Sequence, residues 1–253
     1  VLPDLPTPYN QPELEVSISP PRRPFWRYTD LLLFIGLALA ATAFATILAA
    51  GCMAVWPKLK ADPSGLLLVL QLGLYLLFYV CFWLVFRIRY DQPVFRSLGW
   101  RASGFPLSLA VVIGPALAFC VSLIASQLHT PAIKTPFDTM VNSPPTFILF
   151  ALTAIVAAPV FEELFFRGFL QPLLCRTFGI FTGILITAAI FGSAHGAEYK
   201  WTWQYILAVG IVGFVFGWVR ERTDSIIPST VMHGCYNAVF VGALYFSKHG
   251  NLS

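Results

Sequence analysis

Seven apolar stretches, each 17 residues or longer, set the terms on which this 253-residue chain can fold. They lie near residues 31–56, 65–86, 105–127, 146–168, 179–196, 204–220 and 226–246. A helix needs about 20 apolar residues to cross a hydrocarbon core. Inside that core every backbone N–H and C=O must be paired within the protein, which leaves helices and closed barrels. A barrel would be written as alternating runs of roughly ten residues, and the chain has none. The expected fold class is all-α, a polytopic transmembrane bundle of about seven helices. Composition agrees, with 57% hydrophobic and 11% charged residues, where a soluble domain carries about 25% charged. A net charge of +4, with no basic run longer than Arg22 and Arg23, offers no face for nucleic acid.

Three regions are expected. Residues 1–25 form a tail with seven prolines, read as a linker or as a segment that docks a protein partner in polyproline form. Residues 26–130 hold the N-terminal transmembrane helices, and 131–253 hold a core in which the intramembrane polar residues cluster. The first apolar run is too long for a signal-peptide core and is expected to stay as an anchor. With the N-terminus in the cytoplasm, all eleven arginines fall on the inner side and all five lysines on the outer side. Eleven against five favours that orientation under the positive-inside bias. The five cysteines (Cys52, Cys81, Cys120, Cys175 and Cys235) form no CxxC pair and read as small apolar packers.

The fourth stretch opens with "PTFILFALTAIVAAPVF", which is free of charge, and then places Glu162, Glu163 and Arg167 in quick succession. The fifth ends in "FGSAH" with His195, and the seventh contains "HGCYN" with His233 and Asn237. A charged side chain at mid-bilayer costs about 2.5–3.5 kcal/mol on insertion scales, so each of these is a functional candidate. Stretches four and five form an antiparallel hairpin turning near Thr177–Gly179, which sets Glu162 and His195 at a similar height. His233 and Asn237 are four apart and share a helix face; Glu163 and Arg167 are four apart in the acid-first order that suits an ion pair. Glu162 is rotated about 100° from Glu163 and points elsewhere. Gly213 and Gly217 make a small-xxx-small pair that permits close helix contact.

The inventory narrows the chemistry. No HExxH is present, although two His and a Glu from separate helices leave zinc open. The stretches contain no Asp, and both Glu lie on one helix, which disfavours an aspartyl pair. Ser193 and Cys235 each stand two residues from a histidine, so each points away from it, and there is no GxSxG, although His195 within reach across helices leaves a Cys235 nucleophile open. What fits is a glutamate acting as general base on water, with His195 orienting that water. His233 and Asn237 would then stabilise the oxyanion formed when water adds to an amide. That scheme calls for no cofactor and no metal.

"EELFFR", "FGSAH" and "HGCYN" together resemble the EExxxR, FxxxH and HxxxN motifs of the CPBP family of CAAX-protease and bacteriocin-processing membrane proteins, also called Abi. The resemblance covers about residues 145–240 and implies an intramembrane glutamic endopeptidase related to the Rce1-type enzymes. It assigns the water-activating base to Glu162, assistance to His195, the oxyanion hole to His233 and Asn237, and support to Glu163 and Arg167. It implies a peptide or lipidated-protein substrate at the bilayer, in eukaryotes a prenylated CaaX protein. Many family members have eight helices, which makes an eighth, short or re-entrant helix an open expectation. The competing reading is a proton or solute transporter, or a scaffold, that keeps the same buried Glu–His cluster.

Overall fold

The computed structural model describes residues 24–56, 58–61 and 63–249. The proline-rich tail, and with it the expected partner-docking role, lies almost wholly outside the described residues. Seven long helices follow in order: α1 (Tyr28–Val55), α2 (Ser64–Arg89), α3 (Leu107–Gln127), α4 (Pro144–Phe178), α5 (Ile180–Ala194), α6 (Trp203–Thr223) and α7 (Ile227–His249). Each matches one apolar stretch, and no strand occurs among the described residues. Single helical turns at Lys58–Ala61, Val94–Ser97 and Phe137–Met140 fill the connections.

Five of the seven (α1 to α4 and α6) are long and apolar enough to cross a membrane. α5 has 15 residues, about 22 Å of helix, and α7 has the length but carries the polar groups described below. α1 is apolar all round, and Leu32, Leu39, Phe44 and Ile47 are each about two-thirds exposed. A water-facing surface does not carry apolar patches on this scale. The protein is an integral, multi-pass membrane protein whose outer helices meet lipid. At the start of α1, the Asp30 carboxylate caps the backbone N–H of Arg27 and is fully buried against Arg89 (2.8 Å) and the Tyr90 hydroxyl (2.6 Å), pinning α1 to the end of α2.

α4 organises the bundle. It starts on Pro144 and Pro145, whose missing N–H groups cost nothing in a first turn. It ends at Gly179, where φ of +83° breaks the helix and turns the chain into α5. The apolar stretch fades at 168, yet the helix runs on to Phe178. The reason is Gln171, a polar residue that hydropathy reads as an end but which is fully buried inside the bundle. Two segments of α4, Thr153–Ala157 and Glu163–Leu170, are wound as π-helix on either side of Pro159. Such widened turns recur at functional sites because they re-aim side chains. Around the second, Phe169 and Leu173 are sealed among Trp26, Phe34, Phe82 and Phe86 from the N-terminal segment, α1 and α2. On the other side, Ala110 and Val121 of α3 pack with Val212 and Phe216 of α6 and Met232 of α7.

Candidate active site

The two glutamates of α4 are neighbours in sequence with different surroundings. Glu163 is fully buried, with Oε1 2.9 Å from Arg167 Nη1 and 3.2 Å from His233 Nδ1. Arg167 is fully buried too: its Nη2 donates to the Gly213 carbonyl at 3.0 Å, and its guanidinium lies over the Phe191 ring at 4.2 Å. A cation in a dry setting has to be met by acceptors and ring faces of this kind. Gly213 makes the contact possible, because a Cβ there would fall 2.9 Å from Phe191 and 3.2 Å from Arg167 Nη2. The glycine pair on α6 therefore does more than let helices approach. One turn further, the Gln171 amide donates to the Gly217 carbonyl at 3.0 Å and to Glu221 Oε1 at 3.0 Å. Gln171 was not singled out from sequence; its signal was the four-residue step from Arg167, matched by the step from Gly213 to Gly217.

Glu162 faces the other way. Its Oε2 lies 3.9 Å from His195 Nε2 and 3.8 Å from His233 Nε2, and no protein group hydrogen-bonds that oxygen. Both distances exceed a hydrogen bond. His195 sits just past the last turn of α5, with Nδ1 2.8 Å from the Phe191 carbonyl. A carbonyl only accepts, so Nδ1 donates to it and Nε2 is left facing Glu162. His233 bridges the two glutamates, donating through Nδ1 to Glu163 while Nε2 faces Glu162.

Asn237, one turn beyond His233, donates one amide N–H to the Ala154 carbonyl at 2.8 Å, within the first π-helical segment of α4. Its Nδ2 has a second N–H to give. Glu162, His195, His233 and Asn237 share one cavity of about 160 Å³. Glu163 and Arg167 stand behind it. All six residues picked out by sequence thus gather from α4, α5 and α7, and the height match of Glu162 with His195 holds across the hairpin. The cavity also takes Tyr75 from α2 and Glu198 and Tyr199 from the α5–α6 loop, none of which sequence reasoning raised. Neither Ser193 nor Cys235 lines it. Among the described residues no group of three or more His, Cys, Asp or Glu is arranged to hold a metal ion.

Fold and site together define a polytopic helical membrane protein with a buried carboxylate–imidazole cluster lining a small cavity. The chain belongs to the Rce1-like family, described as type II CAAX prenyl endopeptidases, whose model matches residues 144–239. All six residues fall within that span. The chain is also 30% identical over 187 residues to the uncharacterized 24.3 kDa protein of Escherichia coli, an alignment covering 68% of this chain and 78% of that protein. No solved structure matches. CAAX-type membrane endopeptidase activity is the reaction of the family.

Proposed function

We propose that this chain hydrolyses a peptide bond of a membrane-associated substrate, using water activated by Glu162. The observation that carries the reading is the Glu162 Oε2 atom, buried, without a protein partner, and equidistant from two imidazole nitrogens on the cavity wall. Separations of 3.8 and 3.9 Å suit one water molecule touching a carboxylate and an imidazole together. Such a water donates one hydrogen to Glu162 and the other to His195 Nε2, which turns its lone pair toward the substrate carbonyl carbon. As the C–O bond forms, Glu162 takes the proton and the carbonyl oxygen becomes an oxyanion. The His233 imidazole and the second N–H of Asn237 donate to that oxyanion. Glu162 then returns its proton to the departing nitrogen as the C–N bond breaks, leaving a carboxylic acid and an amine. Glu163 and Arg167 do not touch the reacting atoms; they hold His233 in place and balance the charge around Glu162.

The test uses purified protein with lipidated and unlipidated peptides, with and without a chelator, and product analysis by mass spectrometry. Glu162→Gln keeps the shape of the residue and removes the base. Cleavage should fall by about 10²–10⁴, the usual contribution of general-base catalysis, and should persist in EDTA. Undiminished cleavage by Glu162→Gln ends the proposal, and loss of cleavage with chelator transfers the chemistry to a metal.

A further inference from the structure

Glu198 lines the same cavity as Glu162, and the proposed reaction gives it nothing to do. The loop that carries it, residues 195–202, is tightly built. Trp201 N–H donates to the Gly196 carbonyl at 2.7 Å, and the Trp201 ring packs where a Cβ on Gly196 would lie, 2.6 Å from it. The Tyr199 ring stacks on Tyr205 with centroids 4.9 Å apart. Lys200 and Trp201 both adopt left-handed backbone, at φ of 51° and 57°. Two consecutive non-glycine residues in that region, one of them Trp, are an uncommon conformation that the fold must impose. The effect is to set Glu198 into the cavity wall. Burial pushes its carboxyl up from the usual range; the His195 imidazole opposes the rise and the Glu162 carboxylate adds to it.

The groups that share the cavity with Glu198 are His195 from the end of α5, Glu162 from α4, Tyr75 from α2, Tyr199 beside it, and His233 and Tyr236 from α7. None of the lining residues is Lys or Arg. The nearby Arg167 is already matched by Glu163. The wall therefore holds two carboxylates and two imidazoles and no Lys or Arg, and a guest is selected by the charge it brings.

Resting on the catalytic reading above, we propose that Glu198 is a specificity-determining residue: it makes the cavity prefer a peptide segment bearing an ammonium or guanidinium side chain over one bearing an acidic side chain. A cation pairs with Glu198 across the cavity, whereas an acidic side chain adds a third carboxylate to the same wall. Like-charge juxtaposition of this kind is how a site rejects a competitor of the same size.

The probes are capped, fluorescein-labelled Ala-Leu dodecapeptides that differ in one central residue, Lys, Gln or Glu. Binding to detergent-solubilised full-length protein is read by fluorescence anisotropy, and cleavage is read by mass spectrometry in the same samples. The dissociation constants should rise in the order Lys, Gln, Glu, with about tenfold or more between the ends, each decade being about 1.4 kcal/mol. Glu198→Gln should shrink that ratio severalfold, and Glu198→Lys should invert the order. In the unaltered protein the ratio should also narrow as pH falls and Glu198 takes up its proton. The narrowing must be weaker in Glu198→Gln. Equal affinities for the three peptides in the unaltered protein overturn the inference whether or not any is cut. The charge order without any cleavage upholds it and instead removes the catalytic reading.

Stability supplies an independent readout. A carboxyl whose folded pKa is raised favours the fold below its unfolded pKa, and that contribution is lost as pH rises through the folded value. Glu198→Gln should therefore raise the melting temperature, and by more at pH 8 than at pH 5. An unchanged or lowered melting temperature at pH 8 would mean that Glu198 is an ordinary, stabilising carboxylate and would count against a place held for binding.

Discussion

Glu163 and Arg167 show what a single pair can settle at the residue scale. Both side chains have no exposure at all, and Glu163 reaches His233 as well as Arg167. Removing one partner leaves the other charged and unmatched in a dry interior, which typically costs about 3–5 kcal/mol. Arg167→Met should therefore lower the melting temperature sharply and deplete folded protein, as read by size-exclusion chromatography in detergent. Arg167→Met with Glu163→Gln should recover much of that stability, because the orphaned charge is gone. Cleavage should stay low in the double variant, since His233 would have lost the carboxylate that orients it. Recovery of stability and cleavage together would show that the pair acts only by packing. Glu162→Gln, by contrast, alters an oxygen with no protein partner, and its cost should fall on turnover far more than on folding.

The same contrast explains what was legible at the scale of elements. The seven helices could be read from run length because the bilayer fixes the length of a crossing. The meeting of Glu162 and His195 could be read because a hairpin turns its arms back on each other at 1.5 Å per residue. The end of α4 could not, because Gln171 is polar and yet buried. The π-helical segments could not, because an apolar run reads the same whether its turns are α or π. Glu198 was passed over because it lies in a loop, where an acidic residue ordinarily faces water. Gly213 was read as a packing position, and its carbonyl proved to be the anchor of Arg167 at 3.0 Å. Gly213 tests how far α6 sets the site: the Cβ of Gly213→Ala would lie 2.9 Å from the Phe191 ring, which must shift, and 3.2 Å from Arg167 Nη2, and Gly213→Val adds two methyl groups to the same space. Overpacking of this kind costs about 1–3 kcal/mol. Cleavage should drop modestly in Gly213→Ala and by at least about tenfold in Gly213→Val, measured at equal amounts of folded protein. Equal cleavage by both would mean that α6 is only a scaffold for the helices that carry the site.

At the scale of the molecule, the motifs lie within residues 144–239, but the structure that supports them does not. Tyr75 of α2 lines the cavity. Phe34 and Phe82 of α1 and α2 close on Phe169 with ring centroids 5.2 and 5.3 Å away. The Trp26 indole donates to the Phe169 carbonyl at 3.0 Å, and Ala110 and Val121 of α3 pack with Met232, next to His233. We take residues 131–253 to be the catalytic core in the sense of carrying the reacting groups, and the helices before it to be the wall that keeps α4 and α7 in register. A chain cut between residues 130 and 131 separates the two roles, in an exposed connection before the turn at Phe137–Met140. The fragment 131–253 expressed alone should show no cleavage, because α4 loses the aromatic seal around Phe169 and α7 loses α3. Co-expression of residues 1–130 with 131–253 should restore cleavage, since no chain connection is needed where helices pack side by side in a membrane. An active 131–253 fragment would show that the motif region holds its own geometry and would reduce the first three helices to an anchor. Failure of the co-expressed halves, with both present in the membrane, would show that the connection itself sets the packing of α3 against α7.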